Sequence, residues 1–175
     1  MVLNKIQRGV FKVSIRGAEY CLKTIDCIRG RDRFLRELGV LRRIPSHPHL
    51  ISLVGVRDAG GGKIDGMVLP YICGTTLLRM RTATELQKNK WKEQISTAIS
   101  VLHDLGIVWE DVCPHNILIE RNGGNAILTD FDGGRRIGWV DLKGVEGDLQ
   151  GLGRVLEFID SIKTECETSA HEESS

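Results

Sequence analysis

Two acidic loops joined by a hairpin constrain this chain more than any other feature. Ile107-Val108 and Ile117-Leu118-Ile119 are apolar runs, and between them stand Asp111, Pro114 and Asn116, with Asp111 and Asn116 five residues apart. Fourteen residues beyond Asn116 comes Asp130, in the stretch Thr129-Asp130-Phe131-Asp132-Gly133-Gly134. Residues 117–120 and 126–129 read as strands around Arg121-Asn122-Gly123-Gly124-Asn125, and Asn-Gly between short apolar runs is a strong hairpin signal. A hairpin brings its ends together, so Asp111, Asn116 and Asp130 are expected near one another. Three oxygen-bearing side chains at one point suit a hard cation such as Mg²⁺ and the phosphates it carries.

The frame around these loops is that of one domain, since the chain has 175 residues. A chain of that size buries roughly 70% of its unfolded surface, enough for a real core. Apolar residues make up 41% and charged residues 27%, and the formal net charge is +1. That balance gives no electrostatic case for a nucleic-acid or membrane partner. No apolar run is long enough to span a bilayer, and the first eight residues lack a signal-peptide core. The five cysteines (21, 27, 73, 113 and 166) are scattered and form no C-x-x-C pair. They argue against a disulfide framework or zinc site and for a reducing compartment, so the expected location is intracellular and cytoplasmic. There is no internal repeat.

Along the chain, Val10–Ile15 and residues 20–25 alternate in polarity around Arg16-Gly17-Ala18-Glu19, the pattern of a β-hairpin with Lys23 on its second strand. Residues 31–44 carry Phe34, Leu38, Leu41 and Ile44 at helical spacing, with Glu37 in the same helix. Pro45 and Pro48 end it. Residues 49–57 and 67–72 are strand candidates either side of Gly60-Gly61-Gly62. Cys73-Gly74-Thr75-Thr76 reads as a connector. A second helix is predicted over 84–105, with Leu86, Trp91, Ile95, Ala98, Ile99 and Leu102 on its apolar face and Gly106 as its stop. Residues 133–145 read as loop. A third helix is expected over 147–162, with Leu149, Leu152, Val155, Leu156 and Ile159 inward and Asp148 at its start. Residues 163–175 are polar and acidic and read as a disordered tail.

Asp111, Asn116 and Asp130-Phe131-Asp132 resemble the protein-kinase catalytic loop, H-R-D-L-x-x-x-N followed by D-F-G. Trp109 stands where that pattern has His, and Glu110 where it has Arg. Lys23 and Glu37 resemble the kinase Lys–Glu pair, His47-Pro48-His49-Leu50 is a kinase-like sequel to that helix, and Leu69-Pro70-Tyr71-Ile72 is similar to the hinge. The likeness spans about residues 6–160. It is similar to compact, truncated Ser/Thr-kinase-like chains of a type seen in fungi, with Trp before the catalytic-loop acid and Gly-Trp-Val after the Asp-Phe motif, which Gly138-Trp139-Val140 fits. The resemblance implies an α+β, two-lobe fold. The N-lobe, about 6–72, would be a small antiparallel sheet with one helix. The C-lobe, about 75–162, would be mainly helical and truncated after the helix near Asp148.

The resemblance also implies ATP and Mg²⁺ as cofactors and an unidentified protein as substrate. Lys23 would hold the α- and β-phosphates and Glu37 would fix Lys23. Leu69, Pro70 and Ile72 would meet adenine through main-chain groups. Asn116 and Asp130 would bind Mg²⁺, and Asp111 would act as base toward a Ser or Thr hydroxyl. Asp148 resembles the aspartate of the kinase helix that anchors the catalytic-loop backbone. Taken singly, Lys23 also reads as a surface lysine, Asp111 and Asn116 as turn formers, and Asp148 as an acid near a helix start. There are departures from the family pattern. No G-x-G-x-x-G is present and only Gly9 precedes Phe11. Glu110 replaces the Arg that would meet an activation-loop phosphate, and no A-P-E follows. Cys113 replaces the catalytic-loop Lys, whose loss would cost on the order of 10²–10³ in rate. Asp132 replaces the Gly of Asp-Phe-Gly. Three functions therefore stay open: an ATP- and Mg²⁺-dependent Ser/Thr protein kinase, a pseudokinase, and a small-molecule phosphotransferase.

Overall fold

The computed structural model describes residues 1–25, 28–121, 124–134 and 138–165. Asn122 and Gly123 of the expected hairpin turn, part of the 133–145 loop and most of the expected tail lie outside the described residues.

The first lobe is a five-stranded antiparallel sheet with one helix. Its strands are β1 (Val2–Gln7), β2 (Val10–Ile15), β3 (Ala18–Thr24), β4 (Gly55–Asp58) and β5 (Ile64–Pro70), in the order β1-β2-β3-β5-β4. The hairpin read from the alternation at 10–25 is β2–β3, paired from Val10↔Lys23 to Ile15↔Ala18. Val10, Val13 and Leu22 are buried: Val13 and Leu22 share one face of the hairpin, and Val10 lies on the other, which carries Lys23 toward the cavity. Strand β1 is exposed along its whole length, so it carries none of the in/out alternation that marks a strand in sequence. Of the strand expected over 49–57 only Gly55–Asp58 forms in this sheet. Leu50 instead bridges Leu128, with Ile51 N–H donating to the Leu128 carbonyl at 3.0 Å and Leu128 N–H to that of His49 at 2.9 Å. The helix α1 (Ile28–Leu41) turns Phe34, Leu38 and Leu41 into the core.

The second lobe is built on α2 (Glu85–Asp104) and α3 (Gly144–Ser161). Thr84 caps α2 with a reciprocal box, its hydroxyl accepting from Gln87 N–H while the Gln87 side chain accepts from Thr84 N–H. Trp91, Ile95, Ala98, Ile99 and Leu102 are buried as the helical spacing predicts, but Leu86 is 73% exposed. It lies in the first turn, beside Glu85, whose carboxylate is tied to Lys88 and Thr164. In α3 Val155 and Ile159 are inward, whereas Leu149 is 53% exposed because the adjacent Asp148 takes the inward position.

The residues expected to connect the lobes contain a strand. β6 (Gly74–Thr76) pairs with β8 (Ile117–Glu120), which pairs with β9 (Ala126–Leu128). Gly74 is required at that crossing, since a Cβ there would sit 2.0 Å from the Ile119 carbonyl oxygen. The expected tail also begins in order. β10 (Lys163–Thr164) runs parallel to β7 (Thr82–Ala83), and Thr164 Oγ1 accepts from the buried Lys88 ammonium at 2.8 Å. No helix among the described residues is long and apolar enough to cross a membrane.

Candidate active site

Between the lobes lies a cavity of about 340 Å³, within the range of small-molecule sites. Val10, Cys21, Ile51 and Leu118 give it apolar walls, and Leu69, Pro70 and Ile72 line its back. Lys23, Glu37 and Asp130 stand together in it, and Thr75, Thr76, Arg79 and His115 are among its other lining residues. Lys23 is placed by the antiparallel register of β3, opposite Met67 of β5. Its ammonium lies 2.5 Å from Glu37 Oε2 and 2.6 Å from Asp130 Oδ1. Three groups separated by 14 and 107 residues in sequence thus form one ion cluster.

Glu37 is 1% exposed, and its Oε2 meets Lys23 as an ion pair with no hydrogen bond to it among the described residues. Burial pushes the Glu37 carboxyl up to about 7, with Lys23 opposing that rise and Asp130 adding to it. Burial also works against the Lys23 charge, but Glu37 and Asp130 together outweigh it and hold the ammonium above its ordinary value. Since Glu37 binds its proton more tightly folded than unfolded, its stabilising contribution is full below its ordinary value of 4.5 and is lost as pH rises through about 7. The stability of wild type relative to Glu37→Gln is therefore expected to fall between pH 5 and pH 8, by at most about 3 kcal/mol. Parallel chemical-denaturation curves of the two proteins across that range would refute the assignment.

Asp111 and Asn116 lie beside the cavity rather than in its lining. Both are nearly buried, at 8% and 7% exposure. Asn116 Nδ2 donates to Asp111 Oδ2 at 2.8 Å and to the Asp111 carbonyl at 3.1 Å. Asp111 Oδ1 receives the Cys113 thiol at 3.7 Å. Thr129 ties this loop to the next by donating through N–H and Oγ1 to the Asn116 carbonyl, at 2.9 and 3.0 Å. Trp109 Nε1 donates to the Asp130 carbonyl at 3.0 Å, and its ring packs at 5.8 Å on Phe131. Two loop residues, Glu110 (φ 66°) and Asp130 (φ 63°), adopt left-handed backbone. That conformation is uncommon outside glycine and clusters at functional sites.

Asp148 explains how the loop tolerates this. Its carboxylate accepts from Trp109 N–H and Glu110 N–H, both at 2.8 Å, and from His103 Nε2 at 3.0 Å. Because α3 begins at Gly144, Asp148 is in its second turn, beyond the free N–H groups that an N-terminal acid would serve.

The fit of a Mg²⁺-bound nucleotide can be judged on the donors present. Among the described residues no cluster of three or more acidic, His or Cys side chains could hold a metal by itself. Mg²⁺ does not need one, because it is commonly held by one or two protein oxygens together with substrate phosphates. Asp130 lies 2.6 Å from the cation Lys23, and its neighbour Thr129 ties it to the Asn116 loop, so the residues fit such a group.

At the cavity roof, the turn between β1 and β2 is only Arg8-Gly9, with Gly9 at φ 71° and its carbonyl accepting from Thr24 N–H at 2.7 Å. The absence of G-x-G-x-x-G thus corresponds to a tight turn in place of a long loop. Cys21, Thr75, Thr76 and Arg79 were not anticipated as lining residues. Cys21 is two residues before Lys23 and so shares its face of β3, the signal that would have found it.

The family model described as the protein kinase domain matches residues 10–142. A serine/threonine-protein kinase of Drosophila melanogaster is 32% identical over 136 residues, covering 70% of this chain and 18% of that protein. The rice (Oryza sativa subsp. japonica) CBL-interacting protein kinase 1 is 32% identical over 124 residues, covering 66% of this chain and 26% of its own length. The chain therefore spans roughly a fifth to a quarter of these curated relatives. With the domain model matched over most of its length, this chain belongs to the protein kinase family.

Proposed function

We propose that the chain is an ATP- and Mg²⁺-dependent phosphotransferase that acts on a Ser or Thr hydroxyl of a protein. The observation that carries this reading is Lys23, held between Glu37 and Asp130 in a cavity with apolar walls. Bound Mg²⁺–ATP would supply the transferable phosphoryl group and neutralise charge developing on it. Lys23 gives the cation for the α- and β-phosphates, and Glu37 orients it. Leu69, Pro70 and Ile72 bound the adenine end, where Pro70 offers only a carbonyl. Asp130 and Asn116 would supply the metal-binding oxygens. Asp111 orients the acceptor hydroxyl and takes its proton. Positioning and charge stabilisation account for most of the rate in such chemistry.

A second reading, a nucleotide-binding module without turnover, is favoured by two features. The Arg8-Gly9 turn offers few backbone N–H groups to phosphates, and Cys113 stands where a catalytic-loop lysine is expected.

A thermal-shift titration with ATP, with and without Mg²⁺, tests the nucleotide site. A ligand at about 100 times its dissociation constant stabilises the fold by about 2.7 kcal/mol. The expected result is a Mg²⁺-dependent upward shift that Asp130→Ala removes. No shift at millimolar ATP would overturn both readings.

A further inference from the structure

Helix α1 brings more than Glu37 to the site. Arg36, the residue before it, reaches the catalytic loop, with Nη2 2.7 Å from Glu110 Oε2. One turn earlier, Arg33 Nη1 stands 3.8 Å from Asp132 Oδ2, and Asp132 Oδ1 accepts from Gly134 N–H at 2.7 Å. The Arg36 guanidinium lies against the loop backbone, because a Cβ at Gly133 would be 2.5 Å from its Cζ and Nε. Its partner Glu110 is fixed in turn, since its N–H donates to Asp148. Successive helix residues point about 100° apart, so Arg36 on the loop and Glu37 on Lys23 together resist rotation of α1 about its axis. The segment between Asp130 and Asp148 contains no Ser, Thr or Tyr.

From this we infer that Arg36 is a positioning residue: through Glu110 it holds α1 where Glu37 reaches Lys23, so the site is assembled by charges built into the chain. The usual alternative, a phosphate added to the loop and met by arginine, has no hydroxyl to carry it here. The polarity of the contact is also reversed, with the acid on the catalytic loop and the arginine on the helix. The inference rests on the reading of Lys23 and Glu37 given above. Because the Arg36 and Glu110 side chains are 42% and 28% exposed, the pair biases the position of α1 rather than dictating it. Breaking it lowers the population of the assembled site by a few-fold, and apparent nucleotide affinity falls by the same factor.

The test uses the full chain and two readouts, amide hydrogen exchange of α1 without nucleotide and Mg²⁺–ATP affinity from thermal shift. Arg36→Glu and Glu110→Arg are each expected to speed exchange in α1 and to weaken affinity about fivefold. The double reversal Arg36→Glu/Glu110→Arg is expected to return both readouts to within about twofold of wild type. A double variant no better than either single, or singles that leave α1 exchange unchanged, overturns the inference. If a reversal fails to fold, Arg36→Gln, Glu110→Gln and their double replace it. The double then matches each single if the clamp holds, and adds their effects if it does not. Absence of any wild-type ATP shift would refute the nucleotide reading alone, because the exchange measurements still decide whether Arg36 and Glu110 hold the helix.

Discussion

Asp111→Ala is expected to lower phosphate transfer by about 10²- to 10⁴-fold, the usual worth of a positioned acid–base group. Mg²⁺–ATP binding should persist, because Asp111 does not line the cavity and touches neither Lys23 nor Glu37 in the ion cluster. The side chain is well prepared for its role. At 8% exposure it is shielded from water, and Asn116 holds one of its oxygens at 2.8 Å. The Cys113 thiol donates weakly to the other at 3.7 Å. Asp111→Asn should fall nearly as far as the alanine variant while unfolding close to wild type, which separates loss of the base from loss of the loop. The measurement is transfer of labelled phosphate to a Ser- and Thr-containing protein mixture, alongside the thermal-shift titration. ATP binding without transfer in wild type, unchanged in Asp111→Ala, would establish the module without turnover. Transfer that survives Asp111→Ala would show that the activity does not use this site.

Much of this site is written locally. Alternation from Val10 to Ile25 fixes which face of β3 Lys23 occupies, and the spacing of Phe34, Leu38 and Leu41 fixes the buried side of α1. Resemblance then supplies the pairing of Lys23 with Glu37, which no local pattern contains. What could not be read depends on contacts between distant residues that lack a period. Strand β1 is exposed throughout, so nothing in Val2–Gln7 separates a paired strand from a loose end. Gly74–Thr76 looks like a linker, because its strand character comes from Ile119 passing 2.0 Å from where a Cβ would be. Lys163–Thr164 looks like tail, yet the buried Lys88 needs Thr164 as a hydrogen-bond partner. Leu86 and Leu149 show the opposite error. Both are apolar at helical spacing, and both are displaced outward where neighbouring polar residues have partners. Arg36 and Glu110 are 74 positions apart and chemically ordinary, so only the structure pairs them.

Asp148→Ala is expected to destabilise the fold by about 3 kcal/mol, which for a chain of this size lowers the melting temperature by roughly 6–12 °C. The size of the effect follows from what is left behind. Asp148 is 1% exposed and accepts from Trp109 N–H, Glu110 N–H and His103. Alanine leaves two backbone donors beside a buried tryptophan with no acceptor, and each such orphan costs about 1–3 kcal/mol. Relief of burying a carboxylate offsets part of that sum. Asp148→Asn keeps the volume and one acceptor, so it should lose about half as much. Glu110 should also leave its left-handed backbone once its N–H is unpaired, carrying Asp111 with it. Asp148→Ala is therefore expected to lose transfer even at temperatures where it is fully folded. Urea unfolding followed by tryptophan fluorescence gives the stability change, and the transfer assay at low temperature gives the second. A loss below about 1 kcal/mol would mean that the Trp109 and Glu110 N–H groups find other acceptors once the carboxylate is gone. The catalytic loop would then hold its shape by the Trp109–Phe131 packing and the Thr129 bonds instead.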